Sequence, residues 1–230
     1  MEPEIRQDDE GHSYMPFKLP VSLSICGSSF SGKSFFISKL LENKSKMFIP
    51  EPQEIIYVYS SWQPLFDTME RAIPNIKFMN RIPSKSEVIS FTDDLQHRVM
   101  VIDDQMTNLK SCPDITEYFT VFTHHRNLSC ILVLQNALYQ AQCVRDISYN
   151  VQGMFIFRNL RSPQQIGILA SQMFPGKKRA FFLDAYDQAC LSKQFGYLYC
   201  DINPRNDTKY QLRTDILPGQ DTIIFQPKLS

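Results

Sequence analysis

Residues 27–34 read GSSFSGKS, and no other stretch constrains the fold as much. The octapeptide fits the pattern G-x-x-x-x-G-K-[ST] at every required position. Gly27 and Gly32 permit backbone angles that side chains resist. Consecutive amides of Gly27, Ser28, Ser29, Phe30, Ser31 and Gly32 can then turn inward and cradle phosphate oxygens. Lys33 is expected against the β- and γ-phosphates of ATP, and the Ser34 hydroxyl at a Mg²⁺ ion.

The flanks supply the context such a loop needs. Before it runs VSLSICG, residues 21–27, a short β-prone segment after Pro20. After it runs KSFFISKLLEN, with Phe36, Ile37, Leu40 and Leu41 at helical spacing. Strand, glycine loop and helix together aim amides and a helix dipole at the phosphates.

The remaining chain alternates strand and helix signals, which predicts an α/β fold with both faces of its sheet covered. Strands are expected at 54–61, 76–80, 97–106, 128–136 and 153–160. Helices are expected at 62–73, 83–95 and 113–122, with a short helix or turn at 143–152. The segment SPQQIGILASQMF carries a helix start, with Ser162 as N-cap, Pro163 next and Gln165 at the capping-box position. Residues 179–192 continue helically. YLYCDINP and KYQLRTDI predict a C-terminal β-hairpin around a Pro–Arg–Asn–Asp turn.

At 230 residues the chain fits one large domain, or a domain with an appendage. The polar start predicts a flexible arm over 1–18 ahead of a domain at 19–230. A net charge of zero excludes a polycation, so any nucleic-acid contact must come from a local patch or a ring of subunits. Six cysteines show no CxxC pair, and several lie in apolar runs, which fits buried free thiols in a reducing compartment. No run of eighteen apolar residues is present, and no signal peptide is visible, so no membrane role is expected.

VMVIDDQ places Asp103 and Asp104 directly after four apolar residues. A hydrophobic strand ending in Asp is the partner that phosphate-loop ATPases use for Mg²⁺. Asp103 would hold the ion together with Ser34. Asp104 would polarise the attacking water, because neutralising a metal and accepting a proton are separate tasks. LSCILVLQN is apolar until Gln135, which fits the polar strand end that additional-strand ATPases direct at the γ-phosphate. THHRN, residues 123–127, forms a compact basic loop just before that strand. Its Arg126 could stabilise γ-phosphate charge within its own subunit or a neighbour, contact DNA, or cap a helix. Arg145, Arg158 and Arg161 are rivals, and sequence does not choose among them.

GSSFSGKS, VMVIDD and THHRNLSCILVLQN together resemble the poxvirus-type genome-packaging ATPases of double-stranded DNA viruses and Polinton-like elements. These belong to the FtsK–HerA superfamily of DNA pumps. The resemblance covers about residues 20–160, and its most specific part is the THHR–strand–Gln135 block. One departure is Asp104, where pumps of this superfamily often carry Glu. The resemblance implies a three-layer P-loop NTPase of the additional-strand type, with a mostly parallel central sheet. It implies ATP hydrolysis with Mg²⁺ between subunits of a ring, a pentamer or hexamer. Such a ring would drive double-stranded DNA into a capsid through a portal or capsid protein, inside an infected cell. Lys177, Lys178 and Arg179 are a candidate DNA-facing cluster, with a solvated helix end as the alternative. Two other readings are a nucleoside or small-molecule kinase with a lid at 158–165, and an ATP-binding switch or scaffold with slow turnover.

Overall fold

A computed structural model describes residues 2–105, 109, 112, 114–136, 142–159, 162–176, 178–191 and 193–227. Four of the five longest parallel strands read as near-continuous apolar runs, and their burial explains why. Strands β4 (Ser22–Cys26), β8 (Arg98–Asp103), β9 (Leu128–Leu134) and β10 (Gly153–Phe157) are buried at every position. Strand β6 (Glu54–Val58) is buried from its second residue onward. Strands of a parallel sheet are covered on both faces, which favours continuous apolar runs; β4 departs from this with Ser22 and Ser24, both of them buried.

The main sheet has nine strands in the order β13-β12-β11-β10-β4-β9-β8-β6-β7. Strands β10, β4, β9, β8, β6 and β7 (Ile76–Met79) run parallel. Strand β11 (Tyr197–Asp201) pairs antiparallel with β10, then with β12 (Leu212–Thr214), which pairs with β13 (Ile223–Phe225). The expected C-terminal hairpin is therefore present with a third strand. Its connection runs from 202 to 211 and contains a 3-10 turn at Thr208–Tyr210.

Alternate strand residues feed two cores, one on each face. On one face Leu23, Ile25, Tyr57, Val101, Val133 and Phe155 meet helices α1 (Lys33–Glu42) and α3 (Pro64–Ala72). The short helix α2 (Lys44–Met47) contributes Met47 there. On the other face Cys26, Val58, Ile102, Leu132 and Ile156 meet α4 (Lys85–Phe91), α7 (Gln142–Asn150), α8 (Pro163–Met173) and α9 (Lys178–Leu191). Between β8 and β9 the backbone passes through α5 (Ile115–Glu117), a π-helical turn (Tyr118–Phe122) and α6 (Thr123–His125). THHRN is thus a helix end and not a loop. The Thr123 hydroxyl donates to the Tyr118 carbonyl at 3.0 Å, five residues back, which fits the widened turn.

Two local expectations change. The capping box forms at α4, where Glu87 N–H donates to Ser84 Oγ and Ser84 N–H to Glu87 Oε2. It does not form at α8, although Pro163 opens that helix as expected. The Ser162 side chain makes no cap bond there, and its own amide goes to Asn159 Oδ1 at 3.2 Å. The segment expected as an arm makes specific contacts. Strand β1 (Arg6–Gln7) pairs with β2 (Ser13–Tyr14), and β3 (Phe17–Lys18) pairs with β5 (Phe48–Ile49). Tyr14, Met15 and Phe17 are buried, because YMPF carries apolar area that the polar residues before it do not.

Phe155 sits at the centre of an aromatic cluster. Its ring lies 4.8 Å from Phe36, 4.7 Å from Tyr199, 5.7 Å from Tyr197 and 6.2 Å from Phe17. This cluster joins the first helix, the hairpin and the N-terminal segment to the sheet. Phe155→Ala should therefore lower unfolding free energy by about 3–5 kcal/mol. Urea denaturation followed by circular dichroism measures this, and a loss below about 1 kcal/mol would contradict the central role of that ring.

Candidate nucleotide site

Parallel strands direct their C-terminal ends to one edge of the sheet, and the candidate site lies there. In β4, Cys26 stands opposite Leu134 of β9 and Ile156 of β10. In β8, Asp103 stands opposite Val133. Strand β9 thus lies between the loop strand and the acidic strand, as expected of the additional-strand arrangement. Gly27 N–H donates to the Leu134 carbonyl at 3.2 Å, which fixes the loop's start against that neighbour.

A cavity of about 450 Å³ opens at this edge, within the usual range for small-molecule sites. Residues 29–35 line it, with Gln63, Asp103, Asp104, Val133, Gln135 and Phe195. The structure therefore gathers Lys33, Ser34, Asp103, Asp104 and Gln135 from three separate segments. Gly27 and Ser28 form the loop's base. A Cβ on Gly27 would come within 2.6 Å of Phe157 Cβ, so only glycine fits. Gly32 has φ 98°, the left-handed conformation that side chains resist, and it starts α1.

Lys33 Nζ donates to the carbonyls of Gly27 at 2.7 Å and Ser28 at 2.9 Å. Burial lowers its pKa, against the pull of the nearby Asp103 carboxylate. Asp103 is 5% exposed. Burial raises its pKa, and the charge of Asp104 adds to the rise. A hydrogen bond from the Tyr57 hydroxyl to Asp103 Oδ2, 2.6 Å long, and the charge of Lys33 oppose it. The same surroundings push the Tyr57 phenol well above its usual value, so it stays a donor.

Adjacent strand residues point to opposite faces, yet both carboxylates line the cavity. The reason is Asp104, whose φ of 51° ends the pleat. Asp tolerates the left-handed region better than most side chains. Asp104 is exposed, and Gln135 Nε2 donates to its Oδ1 at 3.0 Å. Gln135 is thereby placed on the second carboxylate. The Ser31 hydroxyl is buried without a partner in the cavity wall. A buried unpaired hydroxyl is costly, so a phosphate oxygen is a fitting acceptor for it. Mg²⁺ prefers hard oxygen ligands, and the Ser34 hydroxyl and Asp103 carboxylate supply them in one cavity.

Arg126 is not part of this site. It precedes β9, and Gln135 follows it, so seven strand residues, about 23 Å, separate them. At the opposite edge Arg126 pairs with Asp93 at 3.1 Å and lies over the Phe122 ring. Its expected role at the phosphates of its own subunit is therefore excluded by the direction of the strand. Among its rivals, Arg158 follows β10 at the loop edge, and its carbonyl receives Ser28 Oγ at 3.5 Å. Arg145 donates to Gln142 on α7 at 2.8 Å, and Arg161 lies outside the described residues. Residues 160 and 161 of the lid considered for a kinase also lie outside them, and 163–165 belong to α8.

Sequence reasoning missed five residues of the site, of which Phe35 and Val133 carry only helix and strand signals. Tyr57 lies within an apolar run and gives no separate signal. Gln63 precedes Pro64 at the start of α3, a position that local pattern explains without a ligand. Phe195 stands before Gly196 in a short turn, and only the fold brings it to the loop.

Solved structures carry the same architecture. B204, the DNA-packaging ATPase from Sulfolobus turreted icosahedral virus, superposes with a TM-score of 0.57 at 14% identity. The match covers 93% of this chain and 100% of that one. B204, the genome-packaging NTPase of Sulfolobus turreted icosahedral virus 2, in complex with ATP-gammaS, gives 0.52 at 16% identity. Here the coverage is 91% and 98%. This chain shares the fold of the B204 ATPases. The likeness is one of three-dimensional arrangement, and the α/β phosphate-loop architecture read from the sequence is borne out. No protein-family model and no curated protein sequence matches the chain.

The buried Asp103 carboxylate predicts a pH-dependent cost to stability. Its pKa is raised on folding, so the native state holds its proton more tightly than the unfolded state. Stability from this group then falls as pH rises from the ordinary value of 3.8 through the raised one. Asp103→Asn should accordingly melt higher than wild type at pH 7.5, with the gain shrinking towards pH 4. Thermal unfolding of both proteins at the two pH values checks this. A lower melting temperature for the variant at pH 7.5 would contradict the cost.

Proposed function

We infer that this protein is a Mg²⁺-dependent ATPase that moves double-stranded DNA, working as a ring of subunits that packages a genome into a capsid. The observation that carries the catalytic part is the Gln135–Asp104 hydrogen bond at 3.0 Å, beside the phosphate loop. Hydrolysis requires water to attack the γ-phosphorus while the bond to the bridging oxygen breaks, releasing ADP and phosphate. Asp104 is exposed to solvent at the cavity wall and has the chemistry to orient that water and accept its proton. Gln135 holds the carboxylate in place. Lys33, now on loop carbonyls, would exchange them for β- and γ-phosphate oxygens, which are better acceptors for a cation. Ser34 and Asp103 would hold Mg²⁺, which supplies charge neutralisation at the phosphates.

The B204 proteins are described as packaging enzymes, and they share this fold at 14% and 16% identity. Gripping a phosphate backbone needs no base readout, so a zero net charge is compatible with a channel lined by a few cations. Of the cluster Lys177, Lys178 and Arg179, the first lies outside the described residues, and Lys178 and Arg179 are exposed at the start of α9 as candidates for that lining. Given its place at the far edge of the sheet, Arg126 could serve only a neighbouring subunit's nucleotide.

The test is steady-state ATP hydrolysis with and without duplex DNA, on the oligomer the chain forms. Wild type should turn over, and DNA should stimulate it. Lys33→Ala should abolish turnover, and Asp104→Asn should lower kcat by about 100-fold or more while still binding ATP. An assembled wild-type oligomer that binds ATP but does not hydrolyse it would leave the switch or scaffold reading in its place.

A further inference from the structure

The cavity is chemically one-sided. Asp103, Asp104 and Gln135 come from β8 and β9, on one side of the loop strand β4. On the other side stand β10 and β11. The first residue of β11, Tyr197, pairs with Phe157, the last residue of β10, so the turn before β11 reaches the phosphate-loop edge. That turn delivers Phe195 into the cavity wall.

Phe195 is held there at a cost. It is 48% exposed, although it is a large apolar side chain. Its φ of 65° lies in the left-handed region, which a bulky residue seldom adopts. The turn is secured on both sides of it. Lys193 Nζ pairs with Asp215 Oδ2 at 2.8 Å and reaches Gln220 Oε1 at 3.2 Å. Gly196 lies so close to the Ala189 carbonyl that no side chain would fit, and its N–H donates to the Lys193 carbonyl at 3.2 Å. The ring rests on the loop itself. A Cβ on Gly32 would lie 2.6 Å from Phe195 Cβ and 2.8 Å from its Cγ. Gly32 therefore both turns the phosphate loop and makes room for the ring. Phe35, also exposed, lines the same cavity two residues after Lys33.

The geometry points to Phe195, supported by Phe35, as the stacking surface for the base of a nucleoside triphosphate, an assignment that rests on the nucleotide reading above. A triphosphate laid along residues 29–34 places its γ-end towards the carboxylates and Gln135. Its neutral, flat end then falls on the side of the exposed ring. Strained backbone persists where the surroundings over-determine it, as they do in this turn. Stacking recognises the face of a base and not its edge, so it accepts different bases. The site should therefore take purine triphosphates broadly, with little discrimination between ATP and GTP and weaker binding of UTP.

Calorimetric titration of the full chain with Mg²⁺ and ATP, GTP, UTP or inorganic tripolyphosphate tests this. Phe195→Ala should weaken ATP and GTP by roughly tenfold each, and leave tripolyphosphate unchanged. Phe195→Tyr keeps the ring and should bind ATP as wild type does, which separates stacking from a folding defect. An unchanged ATP affinity in Phe195→Ala would overturn the assignment. So would an equal loss for tripolyphosphate, because the ring would then act only by shaping the loop through Gly32. A wild-type chain that binds neither ATP nor tripolyphosphate would overturn the nucleotide reading itself. A wild-type chain that binds both equally would overturn only the base assignment.

Discussion

Strand β4 is buried at all five positions and has a parallel neighbour on each side. Everything functional depends on that placement. A strand enclosed in this way cannot shift without exposing apolar residues on both faces and breaking two ladders of hydrogen bonds. The loop that follows therefore starts from a fixed point. Gly27 N–H is tied to the end of β9, and Lys33 opens a helix whose Phe36, Ile37, Leu40 and Leu41 are all buried. The loop is flexible in composition, yet both its ends are anchored in the core.

Around this anchor the protein accepts local costs. Asp103 is ionisable and nearly enclosed, and only Tyr57 and Lys33 offset its burial. Asp104 and Phe195 occupy left-handed backbone, and Gly32 has φ 98°. Phe30, at the tip of the loop, also has positive φ and is 96% exposed. Left-handed backbone also occurs at the opposite edge, at Asn75, Leu95 and Asn127, but its combination with a nearly enclosed carboxylate is found at the loop edge. That distribution is expected where binding and chemistry, and not stability, set the conformation.

The main strands and helices were legible from the sequence because their signals are local. Continuous apolar runs such as RVMVID and LSCILVL specify strands covered on both faces, and the spacing of Phe36, Ile37, Leu40 and Leu41 specifies one helical stripe. The expected arm was less legible. YMPF is too short to declare a strand, and Phe17 is buried only because Phe48, Phe155 and Tyr199 come together around it. THHRN was misplaced for a related reason. Its charges resemble a site loop, but the strand direction carries Arg126 away from the phosphates and into a pair with Asp93.

The sequence by itself determined that residues 27–34 form a glycine-containing turn between strand and helix, and that two carboxylates end an apolar strand. Those outcomes follow from backbone freedom and side-chain periodicity, which act within a few residues. The tertiary structure alone decided that Gln135 meets Asp104, that Tyr57 donates to Asp103, and that Phe195 rests on Gly32. Each of these contacts joins segments that are distant in the chain. Strand order and register bring them together, and those are properties of the whole sheet.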